Sequence, residues 1–100
     1  MELASTRAQV LEQLARSKPT LAARFGVRTL ALFGSTVRDA ARVDSDIDIL
    51  VSFDGPATAE RYFGVQFFLE DLLGRPVDLV TDKALPPELR PFIELEAVHI

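Results

Sequence analysis

Residues 34–51 read GSTVRDAARVDSDIDILV, and the end of this stretch decides the fold class. From residue 45 to 53 (SDIDILVSF) acidic and apolar residues alternate, and then the run turns apolar. A strand that enters a core from a sheet rim has this pattern. Side chains two apart on a strand leave on the same face, so Asp46 and Asp48 share one face while Ile47, Ile49 and Val51 bury on the other. Upstream, residues 27–33 (VRTLALF) form a second short apolar strand bounded by Gly26 and Gly34, and the polar residues 36–42 suit a short helix. Downstream, Asp54-Gly55-Pro56 is a turn. Residues 58–73 then read as a helix that starts at Thr58 with Glu60 close behind and stops at Gly74, and residues 76–81 (PVDLVT) read as a third strand.

The flanks complete the layout. Ser5 or Thr6 caps a first helix with Val10, Leu11 and Leu14 in a stripe, ending near Ser17 because Pro19 breaks it. A helical turn over residues 20–25 stops at Gly26, a natural left-handed exit. Pro86 and Pro87 open a last, broken helical stretch in which Leu89, Phe92, Ile93 and Ala97 share a face. Alternating helices and strands predict a layered α/β fold with a small sheet, mixed or parallel.

With 100 residues, the chain is expected to be a single domain over residues 1–100. At 48% hydrophobic it is not disordered, and it carries enough apolar surface to suggest a partner interface. The absence of Cys excludes a disulfide framework, a thiolate metal site and a Cys nucleophile, and the single residue His99 argues against His-based catalysis. A net charge of −4 argues against a general nucleic-acid surface, so no direct nucleic-acid partner is expected. Neither a membrane-spanning run nor a signal-peptide pattern is present, which leads to the expectation of a cytoplasmic protein without a membrane partner. The helix over 58–73 has more apolar residues than one face holds, so Phe63 and Phe67 either join a broad core stripe or meet a partner or second subunit.

The chemistry concentrates in the quoted stretch. Two carboxylates side by side repel unless a cation intervenes, and hard oxygen ligands at this spacing suit Mg²⁺. Asp78 sits between Val77 and Leu79 in the third strand, where burying an unpaired charge would cost several kcal/mol. Either Asp78 pairs with Arg38, Arg42 or Arg75, or its strand lies beside the Asp46–Asp48 strand and the three acids converge. Gly34-Ser35 stands at a strand-to-helix transition. Alone it is a generic turn, but it can also bring backbone N–H groups and the Ser35 hydroxyl to a phosphate, with Arg38 one turn on.

Gly34-Ser35, then Asp46-x-Asp48 in a strand, then Asp78 in a later strand, resembles the polymerase-beta-type nucleotidyltransferase superfamily. The short chain, Arg38, Ser45 and the ending LRPFIELEAVHI bring it nearest to the minimal nucleotidyltransferases, antitoxin partners of HEPN toxins. The resemblance implies a palm-like nucleotidyltransferase fold with a small mixed sheet. It also implies that Asp46 and Asp48 hold two Mg²⁺ ions, that Gly34 and Ser35 hold the β- and γ-phosphates, and that Arg38 contacts the nucleotide. Asp78 would complete one metal site and assist deprotonation of the acceptor. ATP would be the donor and a tyrosine of the HEPN toxin the acceptor, in a homo- or hetero-oligomeric assembly. Two rival readings are a non-catalytic antitoxin that blocks its toxin by binding and an aminoglycoside-type enzyme that modifies a small molecule.

Overall fold

The computed structural model describes residues 7–34, 37 and 46–100. The element order is α1 (Arg7–Phe25), β1 (Val27–Phe33), β2 (Ile47–Phe53), α2 (Ala59–Leu73), β3 (Val77–Thr81), a 3-10 turn (Asp82–Ala84), α3 (Arg90–Glu96) and β4 (Val98–His99). Among the described residues, four strands form one mixed sheet in the order β3-β2-β1-β4. β2 runs antiparallel to β1 and parallel to β3, and β4 adds an antiparallel edge to β1. The expected α/β architecture with a small mixed sheet is the one observed. The caps Ser5 and Thr6 and the expected helix over residues 36–42, apart from Val37, lie outside the described residues.

The two faces of the sheet differ. Ile47, Ile49 and Val51 of β2, with Leu30 and Leu32 of β1 and Val77 and Leu79 of β3, pack under Val10, Leu14 and Leu21 of α1 and Val65 and Leu69 of α2. On the other face Ala31 and Leu50 meet Leu85, with Ile93 and Ala97 packed against them. The strand period of two therefore sends Asp48 and Asp78 to the side opposite α1 and α2. Helix α2 also pins β3, because Tyr62 Oη donates to the Leu79 carbonyl at 2.6 Å and Glu70 Oε2 accepts the Val77 N–H at 3.0 Å. Where α2 crosses α1, Gly64 leaves room for the Phe25 ring, which a Cβ there would strike.

Helix boundaries follow local chemistry with one exception. Thr58 Oγ1 accepts the Arg61 N–H to cap α2, and Gly74 ends it in the left-handed conformation. Pro19, however, lies inside a continuous α1 and does not break it. A proline removes one helical N–H and crowds the preceding turn, at about 3 kcal/mol. The stripe Val10, Leu14, Ser17 and Leu21 is buried on both sides of it, and this packing outweighs the loss. Leu89, Phe92, Ile93 and Ala97 do not share one face: Ile93 and Ala97 pack toward the sheet, whereas Phe92 and the N-cap residue Leu89 point outward. Strand β4 was not expected, since two residues carry no periodicity. Among the described residues no helix is long and apolar enough to cross a membrane.

Leu69 is fully buried between α2 and the sheet, while Phe67 is 63% exposed on the same helix. Leu69→Ala should cost about 2–5 kcal/mol in urea denaturation. Phe67→Ala should stay within about 0.5 kcal/mol of the parent.

Candidate active site

Parallel pairing makes Asp48 and Asp78 direct neighbours across β2 and β3. Strands so paired lie about 4.8 Å apart, and both side chains leave on the open face, so the carboxyl groups meet. Two like charges so placed repel, and each disfavours the ionised form of its neighbour. Partial burial, first, and then the charge and hydrogen bond of Asp78 push the Asp48 carboxyl up to about 6, with smaller contributions from Asp46 and Glu96. Asp46 stands exposed just before β2, within electrostatic reach but not in the strand. Asp78 is itself exposed on the sheet face, so the expected cost of burying its charge does not arise.

Gly34 ends β1 at φ +79°, in the left-handed region that favours glycine. A Cβ at this position would run into the Asp48 carboxylate, so the absence of a side chain lets the end of β1 lie directly against the acid pair. The Gly34 N–H does not point to open space, because it donates to Glu96 Oε2 of α3 at 3.1 Å. The Gly34 carbonyl accepts the Val37 N–H at 3.2 Å, which turns the chain sharply after the strand. Ser35 and Arg38, the other expected phosphate contacts, lie outside the described residues, as do Arg42 and Ser45.

The structure thus gathers Gly34, Asp48 and Asp78, with Asp46 at the edge, and adds Glu96, which the sequence reading missed. The only signal for Glu96 was an acid next to Ala97 on a helix that had to bury part of its surface. The oxygen-only donor set and the Asp48–Asp78 repulsion fit a hard divalent cation, which would relieve that repulsion. Among the described residues, though, no group of three or more His, Asp or Glu stands close enough to hold a metal as it is. A cation here would depend on the Asp48–Asp78 pair, with Asp46 turning toward it.

Comparison with known proteins gives a consistent result. The nucleotidyltransferase domain family matches residues 14–100. The protein adenylyltransferase MntA of Thermococcus cleftensis is 39% identical over 87 residues, which span 87% of this chain and 88% of that protein. A solved structure described as a candidate minimal nucleotidyltransferase superposes with a TM-score of 0.74 at 37% identity, over 89% of this chain and 93% of that one. A chain from the complex of a tri-AMPylated Shewanella oneidensis HEPN toxin with an MNT antitoxin matches with a TM-score of 0.58 at 19% identity, over 93% of this chain and 66% of that one. At that identity the likeness is one of fold.

The raised Asp48 pKa has a signed consequence. The folded state holds the proton more tightly than the unfolded chain, whose value is 3.8, so stability should fall as pH rises from about 4 to about 6. Asp48→Asn should flatten this part of the stability curve. It should also make the protein more stable at pH 7, by about 1 kcal/mol after allowance for solvent screening of a half-buried group. Carboxyl NMR titration and chemical denaturation across this pH range would check both.

Proposed function

This chain belongs to the nucleotidyltransferase domain family, and on that premise we propose that it is an antitoxin that transfers AMP from ATP to a tyrosine hydroxyl of a HEPN-type toxin. The observation that carries this reading is the in-register pair Asp48–Asp78 set against Gly34. The names of the adenylyltransferase relative and of the HEPN complex support the choice of AMP and of a protein acceptor.

The proposed division of labour joins the observed Gly34–Asp48–Asp78 placement to the roles that the family resemblance implies. Asp46, Asp48 and Asp78 would hold two Mg²⁺ ions, which would supply charge neutralisation of the phosphates. Gly34, lacking a Cβ, lets the end of β1 lie against Asp48, so that the nucleotide phosphates would be received where β1 meets the acid pair. Ser35 and Arg38 supply the polar contacts to those phosphates. The acceptor hydroxyl forms a bond to the α-phosphorus as the bond to the bridging oxygen breaks, and pyrophosphate leaves. Asp78, exposed at the centre of the site, accepts the hydroxyl proton. Glu96 keeps the Gly34 amide in place, so the turn is held from the α3 side.

The test is co-expression with the protein encoded by the adjacent gene, followed by intact mass spectrometry of that partner. Wild-type chain should raise the partner mass by whole adenylyl units, and Asp46→Asn/Asp48→Asn should leave it unmodified although still bound. Chelation of divalent ions should stop transfer in vitro, and Mg²⁺ should restore it. An unmodified partner that co-purifies with the wild type and is still silenced would establish a steric antitoxin instead.

A further inference from the structure

Two apolar ridges stand exposed on opposite sides of the sheet. On α2, Phe63 and Phe67 stack with ring centroids 6.1 Å apart, and they point away from the core that α1 and α2 build on the closed face. Along α3 and its N-cap, Leu89, Phe92 and Leu95 are 47%, 71% and 88% exposed. Their spacing of three residues places them along one side of the helix, while Ile93 and Ala97 hold its other side to the sheet.

Only one of these ridges is on the side of the acids. Asp48 and Asp78 open on the α3 face, and the sheet with its two-helix layer separates them from Phe63 and Phe67. Any macromolecule that brings a hydroxyl to Asp78 must come down on the α3 face. The residue after Leu95 is Glu96, whose carboxylate holds the Gly34 N–H, so the ridge begins one residue from the site. Its rim is acidic. Glu88 and Glu94 are exposed beside it, and the one Arg of this helix, Arg90, is engaged by Asp82 at 2.8 Å and by Glu94 at 3.2 Å. The surface complementary to this ridge is an apolar groove bordered by Lys and Arg.

We infer, on the reading that the acceptor is a polypeptide, that the outward ridge of α3, Leu89–Phe92–Leu95, is the element on which that polypeptide docks. The ridge supplies the apolar contact, the flanking glutamates set orientation through the basic rim of the partner, and Glu96 links the docked helix to the Gly34 turn. The Phe63–Phe67 ridge on the far face takes no part in acceptor binding.

The test compares Phe92→Asp/Leu95→Asp with Phe63→Asp/Phe67→Asp, with the adjacent-gene product as the probe. Three quantities are read: partner affinity by calorimetry, the rate of adenylyl transfer by mass spectrometry, and binding of a non-hydrolysable ATP analogue with Mg²⁺. The α3 variant should lose at least 10-fold in partner affinity and in kcat/KM, with kcat recovering at high partner concentration and nucleotide binding unchanged. The α2 variant should stay within 2-fold on all three. If an Asp pair disturbs the unfolding midpoint, Phe92→Ser/Leu95→Ser replaces it with the same expectations. Wild-type affinity in the α3 variant, or a loss confined to the α2 variant, would overturn the docking assignment. A wild-type chain that binds its partner through α3 but transfers nothing would instead overturn the proposed reaction and leave the docking element standing.

Discussion

The parallel pairing of β2 with β3 is the constraint on which the site depends. It places Cα of Asp48 opposite Cα of Asp78, and the strand period then delivers both carboxyl groups to one face. A slip of one residue would send one acid of the pair into the apolar core beneath α1 and α2 and lift its buried neighbour onto the open face. The register is held because Ile47, Ile49 and Val51 on β2, and Val77 and Leu79 on β3, are all nearly or fully buried on that closed face. Tyr62, Gln66 and Glu70 reach from α2 to the β3 backbone and fix the strand lengthwise. The core thus specifies the site without touching it.

Setting two like charges together costs stability, and the molecule tolerates it at one end of an otherwise well-satisfied sheet. The cost appears in the Asp48 carboxyl, whose pKa burial and neighbouring acids raise to about 6. Sites that bind cations and phosphates commonly keep such unrelieved repulsion, because the ligand then gains what the fold has given up. Gly34 belongs to the same arrangement: any side chain at φ +79° would be strained and would strike the Asp48 carboxylate. The main chain comes close to the acids only because this position has no Cβ.

Much of this was legible in the sequence, and the gaps have physical causes. Strand β1 was read at its observed bounds because glycines enclose a short apolar run. Helix α2 was read to within a residue from its Thr cap and its terminating glycine. Asp48 and Asp78 were singled out as acids in apolar strands, but that they are partners is a fact of parallel register, which no local pattern encodes. The expectation that Asp46 lies within β2 placed the strand start too early, since the ladder begins at Ile47. Pro19 misled because the local penalty is visible in sequence while the buried stripe that offsets it depends on the sheet beneath. For α3, the four apolar residues expected on one face divide between two, because local pattern does not say which side meets the sheet, and Glu96 acquires a role only once α3 folds back over Gly34.

The surplus of apolar residues noted from composition resolves into two ridges that the sheet keeps apart. A helix packed on one side needs about one apolar stripe, and both α2 and α3 have more than that. On α2 the excess belongs to the layer that closes the sheet. On α3 it belongs to a short helix anchored by Ile93 and Ala97 over the same face that carries the acids. Seven residues with so little buried surface would hold their place poorly without further ties, and the structure supplies two: Glu96 to the Gly34 amide, and Arg90 to the Asp82 side chain and carbonyl. Both ties run from α3 into the ends of strands, one of them directly into the turn beside Asp48. The outer side of α3 is therefore held in place beside Gly34, which makes this helix the element through which a macromolecule on the open face would meet the acid pair.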